Sequence, residues 1–218
     1  MKITEKDTVK DVVIRNAALF RLGSAKIAKA MEDIKSIGTV RMKRRFGFDR
    51  RLAVKDVGAI TMGELNAIES RKDSYEYFCV VLGIMLGLVK HHATLPDGRP
   101  DWTAGFSIDN ETIGRLRFID AMRCFIDTQK GVEGIGKRWK SLEMPLTADE
   151  VKAKVKRPNR GLAAVCRQYC QIMNGAVRKD DVWCTPWADV YEAFESLRND
   201  NLEQRRLHEI MTPKIRRK

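Results

Sequence analysis

Apolar residues recur at helical spacing along most of the chain. The series that begin at Val9, Ile113 and Leu162 each place apolar side chains three or four positions apart, which is typical of one face of an α-helix. The stretch from Tyr77 to Val89 differs from these because it is apolar on nearly every side. A helix without a polar face belongs in the interior. We therefore predict a buried central helix over about residues 74–90.

The length of this central stretch separates a core helix from a membrane span. It offers only about thirteen uncharged residues, and Glu76 and Lys90 bracket it. A helix that crosses a bilayer needs about 20 apolar residues. We therefore expect a core helix and no membrane partner.

Capping signals mark several helix boundaries. Thr61 followed by Glu64 forms a capping box, Asp109 or Asn110 can begin a helix, and Thr185 before Pro186 is a typical helix start. Further helix starts are predicted at Thr8, Ser24, Asp73 and Thr147. No alternating apolar run flanked by turn residues is found. We predict an all-α fold, an irregular bundle of about eight to ten helices around the central helix.

One long connection bears on the domain organisation. Residues 92–108 contain a turn signal, Pro96-Asp97-Gly98, and form a long connection for a compact domain. We expect this connection to be either a functional loop, with at most a minor hairpin, or a domain boundary. We predict a single helical domain over residues 1–218, with two subdomains, 1–91 and 109–211, as the alternative. Residues 212–218 form a basic tail.

The charge of the chain limits its partners. A net charge of +12 and a pI near 9.6 favour nucleic acid, an anionic membrane surface or an acidic protein. The charged segment that follows Met1 is not succeeded by an apolar stretch, so no secretion signal is expected. The cysteines are odd in number, and we expect reduced, buried thiols: Cys79, Cys124, Cys166, Cys170 and Cys184.

The strongest functional signal is the stretch from Arg41 to Arg51, which carries six cations and one acid. Cations bind phosphates, and the interleaved Phe46 and Phe48 could stack on bases. The alternative is a charged loop whose two phenylalanines dock into the core. The candidate nucleic-acid-binding residues are Arg41, Lys43, Arg44, Arg45, Phe46, Arg50 and Arg51, with Lys154, Lys156, Arg157 and Arg160 from a second cluster.

Other motifs carry no comparable signal. The run from Gly131 to Lys137 fits the start of a phosphate-binding loop, but Arg138 stands where a hydroxyl should bind magnesium. A glycine-rich helix stop and turn is the ordinary explanation. Cys166 and Cys170 lie one helical turn apart, which is not the spacing of a zinc knuckle. His91 and His92 are expected to end the central helix, where they complement its dipole. We predict no cofactor, no metal site and no catalytic residue.

Two passages carry a resemblance to a known class of proteins. Ile60-Thr61-Met62-Gly63-Glu64-Leu65 leads through a polar break into a long apolar helix, and Trp183-Cys184-Thr185-Pro186-Trp187 opens a charged helix. This layout resembles small helical assembly and virion proteins of tailed bacteriophages, such as tail-assembly chaperones and connector or head-associated subunits. The resemblance implies a non-enzymatic, oligomerising role in the host cytoplasm or the virion. Its partners would be other protein subunits, with DNA or RNA at the basic surface. The alternative is a free protein that binds nucleic acid through Arg41–Arg51.

Overall fold

The computed structural model describes residues 3–15, 38–44, 48–70, 75–143, 151–154 and 161–211. Most of these residues are helical. The helices are α1 Val9–Arg15, α2 Met62–Glu69, α3 Tyr75–Met85, α4 Asn110–Gly114, α5 Phe118–Ser141, α6 Leu162–Ile172, α7 Lys179–Cys184 and α8 Trp187–Met211.

Two small antiparallel sheets make the fold mixed α/β, so the prediction of an all-α fold was wrong. The strands are β1 Thr39–Met42, which pairs with β2 Arg50–Ala53, and β3 Val89–His91, which pairs with β4 Phe106–Ile108. Each strand is only three or four residues long. A strand this short carries too few alternating positions to be recognised by its hydrophobic pattern.

Two further extended segments continue the sheet beyond β1. Met42 forms a β-bridge with Leu116, and Thr8 forms one with Arg117. The backbone N–H of Arg117 donates to the carbonyl of Arg41 at 2.8 Å, and that of Lys43 donates to the carbonyl of Arg115 at 2.9 Å. The β1–β2 hairpin is thereby joined along one edge to the residues that lead into α5.

The central helix α3 is buried on almost every side, from Phe78 to Met85. It packs against α2 and α5. It ends five residues before the predicted end, because Gly87 adopts φ +66°, a conformation that favours glycine. The N–H of Leu88 donates to the carbonyl of Gly83, and that of Gly87 donates to the carbonyl of Ile84. This pair of bonds is the Schellman arrangement that closes a helix.

The start of α2 confirms the predicted capping box. The Thr61 hydroxyl accepts the N–H of Glu64, and the Glu64 carboxylate accepts the N–H of Thr61. The Glu64 carboxylate also pairs with Lys55 at 2.5 Å. Asp109 confirms the predicted start of α4, since its side chain accepts the N–H of Thr112.

The glycine-rich run from Gly131 to Lys137 lies inside α5, so the predicted helix stop and turn was wrong. A phosphate-binding loop needs a strand before the loop, and helix occupies that place here. Gly131 has a packing role instead. A Cβ at this position would lie 2.7 Å from a methyl group of Val57, so only glycine fits without a shift.

Several sequence predictions fall outside the described residues. They are the helix from Ser24, the capping boxes that begin at Asp73 and Thr147, and the basic tail 212–218. Among the helices that are described, none is both long and apolar enough to cross a membrane.

Candidate nucleic-acid interface

The described part of the β1–β2 hairpin carries five of the ten cations that the sequence singled out: Arg41, Lys43, Arg44, Arg50 and Arg51. Arg41 lies opposite Arg51, and Met42 lies opposite Arg50. Residues opposite each other in an antiparallel pair share a face of the sheet, so Arg51 projects on the same face as Arg41. Arg45 and Phe46 fall outside the described residues.

Arg41 attaches the hairpin to the first turn of α5. Its Nε donates to Asp120 Oδ2 at 2.7 Å, its Nη2 donates to Asp120 Oδ1 at 3.1 Å, and its backbone N–H also donates to Oδ2. Asp120 is only 5% exposed. Hydrogen bonding to this carboxylate raises the pKa of Arg41, so the guanidinium is held in its charged form. Arg41 is therefore an anchor, since Asp120 engages its backbone N–H and two of its three guanidinium nitrogens.

A second ion pair neutralises the single acid of the basic stretch. Arg117 Nε and Nη2 donate to the two carboxylate oxygens of Asp49 at 2.7 and 2.8 Å. Arg117 also donates to the backbone carbonyl of Lys6. The hydrogen bond from Arg117 lowers the pKa of Asp49. The hairpin is consequently held by two bidentate pairs, and its acid is paired with a cation from outside the stretch.

The other hairpin cations face solvent. Lys43, Arg44, Arg50 and Arg51 are all exposed, and no salt bridge is found for them in the part of the chain that the structure describes. An open groove of about 560 Å³ lies beside two of them, and its lining is Lys43, Arg44, Glu111 and Arg115.

Sequence reasoning missed Arg115. The residue reaches the hairpin because its Nε donates to the backbone carbonyl of Lys43 at 3.2 Å. A weak signal was present in the alternation Arg115-Leu116-Arg117-Phe118, which is typical of an extended segment. We call five cations around the hairpin the basic hairpin surface: Lys43, Arg44, Arg50 and Arg51, which are exposed, and Arg115, which is partly buried. Arg50 and Arg51 are neighbours in β2 and project on opposite faces of the hairpin, so this surface wraps around its edge.

Phe48 stands in solvent beside this surface. Its side chain is 95% exposed, so the alternative in which both phenylalanines dock into the core was wrong for Phe48. The next residue, Asp49, is fixed by Arg117, and β2 begins at Arg50. The ring is therefore presented next to a fixed point of the hairpin.

The second predicted cluster is described only at Lys154. This residue is exposed and has φ 51°. The other three members, Lys156, Arg157 and Arg160, lie outside the described residues. The structure therefore places the described members of the first cluster on one hairpin and adds Arg115 to them, while the second cluster stays a prediction.

The histidines and thiols occupy structural positions. His91 lies in β3, so its predicted place at the end of the central helix was wrong. Its ring meets Trp102 edge-on at 4.5 Å, and burial lowers its pKa. Burial raises the pKa of Cys124 to about 12 and that of Cys79 to about 11, so both thiols stay protonated. Within the described ranges, no three potential metal ligands come together.

Comparisons with protein families, curated proteins and solved structures give no match to this chain.

Proposed function

We propose that this protein binds the phosphate backbone of nucleic acid, without sequence specificity, through the basic hairpin surface. The observation that carries the proposal is the division of charge on the hairpin. Asp49 and Asp120 are each paired with one arginine, and five further cations remain, of which four are exposed and Arg115 is partly exposed. Such a surface attracts a polyanion by releasing its condensed counterions.

The groove adds shape to this charge. Lys43, Arg44 and Arg115 line it against a single carboxylate, that of Glu111. Arg115 is held there by its bond to the backbone of Lys43. A guanidinium that is fixed before binding loses less side-chain entropy when it meets a phosphate. The role is that of a binding protein, and it needs no reaction at the surface.

A charge-reversal triple tests the proposal. The variant Arg44→Glu/Arg50→Glu/Arg51→Glu should bind a labelled oligonucleotide at least about a hundredfold more weakly, since three phosphate contacts become repulsive. The matched control reverses three exposed arginines on α6 and α8: Arg167, Arg205 and Arg206.

Both triples change the net charge equally. Equal losses of oligonucleotide affinity in the two variants would mean that total charge drives binding. The assignment of the binding surface to the hairpin would then be wrong. A parent protein that binds no oligonucleotide at low salt would overturn the function itself.

A role in particle assembly is the second candidate, and the end of α8 favours it. This helix runs unbroken to Met211, and three apolar side chains near its end are exposed: Leu207 at 52%, Ile210 at 80% and Met211 at 80%. An assembly subunit, as in the phage proteins that the sequence resembles, needs such contacts with other subunits. Light scattering should show self-association that Ile210→Glu abolishes, and a parent protein that stays monomeric at high concentration would contradict self-assembly.

A further inference from the structure

We infer that the basic hairpin surface prefers single-stranded nucleic acid to duplex, with the ring of Phe48 stacking on an unpaired base. This inference rests on the proposed function and adds the class of nucleic acid. It comes from the juxtaposition of one fully exposed aromatic ring with the cations of the hairpin.

The exposure of Phe48 sets it apart among the described residues. Seven large apolar side chains stand out into solvent there, and the other six are aliphatic: Ile14, Val151, Met173, Leu207, Ile210 and Met211. Only Phe48 has a flat π-face, and at 95% it is also the most exposed of the seven. Isolated apolar residues at the surface are common. An exposed aromatic ring two residues from an exposed arginine has a particular use, because bases stack on such rings while the cation meets the phosphate.

Distance supports a shared ligand for the ring and the cations. Phe48 and Arg50 are two residues apart, so their Cα atoms are separated by at most about 7 Å. The arginine side chain extends this reach, so one nucleotide can place its base on Phe48 and its phosphate at Arg50. The carboxylate of Asp49 between them is bound by Arg117, which ties this part of the chain to the start of α5.

The state of the bases decides which nucleic acid suits this arrangement. In a duplex each base is stacked between its neighbours, and its faces are covered. A side chain can reach those faces only by wedging into a step and kinking the helix, which costs free energy. In a single strand the faces are open, and stacking is tolerant of sequence. A duplex can therefore use the cations of the hairpin but gains nothing from Phe48.

The test compares two probes and two substitutions. Fluorescence anisotropy would measure the affinity for a labelled oligothymidylate of about 15 nucleotides and for a duplex of equal length, at one salt concentration. We expect the single strand to bind more tightly. Phe48→Ala should weaken single-strand binding by roughly five- to thirtyfold, the usual effect of losing one stacked base, and leave duplex binding within about twofold. Phe48→Trp should retain single-strand affinity.

Two controls keep the outcomes distinct. Met173→Ala removes an exposed apolar side chain just after the end of α6 and should change neither affinity. Because Phe48 is exposed, Phe48→Ala should melt at the same temperature as the parent. If the parent binds both probes equally and Phe48→Ala changes neither, the inference is wrong while the proposed function stands. If Phe48→Ala weakens both probes alike, the ring acts as a duplex wedge and the inference is also wrong. If the parent binds neither probe, the proposed function fails first.

Discussion

The ion pair between Arg41 and Asp120 should control how firmly the hairpin is held. Asp120→Asn keeps the shape of the side chain and removes its charge. The substitution weakens two hydrogen bonds from the guanidinium and one from the backbone N–H of Arg41. These bonds connect residues that are 79 positions apart in the chain, so the tertiary contact itself is tested.

The solvent exposure of Arg41 and Asp120 sets the size of the expected change in the free energy of unfolding. The side chain of Asp120 is 7% exposed and that of Arg41 is 37% exposed. Breaking a fully buried pair costs about 3–5 kcal/mol, and an exposed pair contributes at most about 1 kcal/mol. With one buried and one partly exposed partner, Asp120→Asn should lower the free energy of unfolding by about 2–3 kcal/mol. At an m-value of about 2.5 kcal/mol per molar urea, the midpoint falls by about 1 M.

Urea unfolding followed by circular dichroism is the assay, and Asp49→Asn is the comparator. The carboxylate that is altered is more open to water in this pair, since the Asp49 side chain is 25% exposed against 7% for Asp120, so its loss should cost less, about 1–2 kcal/mol. Either of two results would refute the claim that Arg41 anchors the hairpin. Asp120→Asn would lower the free energy of unfolding by less than about 1 kcal/mol, or by no more than Asp49→Asn does.

Three further predictions concern packing, acid stability and thiol reactivity. Gly63→Ala should lower the free energy of unfolding in urea by about 1–3 kcal/mol, because the new Cβ would lie 2.3 Å from Trp102. Gly134→Ala in α5 is the control: its Cβ meets nothing within 4 Å, so it should stabilise the fold by about 0.5–1 kcal/mol. Equal effects of the two substitutions would contradict the close approach of Trp102 to Gly63. Arg117 lowers the pKa of Asp49, so this pair stabilises the fold above the unfolded pKa of about 3.9 and ceases to do so as the pH falls through the lower folded value. The stability difference between the parent and Asp49→Asn should therefore shrink toward zero in strong acid. A difference that stays constant with pH would argue against the ion pair as its source. In the native protein a thiol reagent should quickly label at most the two partly exposed cysteines, Cys170 and Cys184. It should reach the three buried cysteines only on unfolding: Cys79, Cys124 and Cys166. Rapid labelling of those three would contradict their burial.

Local signals predicted the helical part of the fold. The apolar stretch that contains α3 and the capping box of Thr61 with Glu64 depend on residues a few positions apart, so the sequence shows them directly. Gly87 also marks the end of α3 in the sequence, but a glycine within an apolar run fits a continuing helix equally well. Its left-handed conformation is what stops the helix there.

The strands and half of the site depend on contacts that the sequence does not display. β1 is stabilised on one side by β2 and on the other by Leu116, which lies more than 70 positions away. The same bridge carries Arg115 into the groove and brings Asp120 to Arg41. Composition could identify a basic stretch. Only the fold shows that Arg41 is engaged, while Arg50 and Arg51 are left for a ligand.

The salt dependence of single-strand affinity tests the central claim most directly. If the five cations of the basic hairpin surface each replace a condensed counterion, a plot of log affinity against log salt concentration should have a slope near −3.5, at about −0.7 per phosphate contact. The triple Arg44→Glu/Arg50→Glu/Arg51→Glu should reduce that slope by at least about 2. A slope shallower than about −1 in the parent, or one that the triple leaves unchanged, would contradict the account.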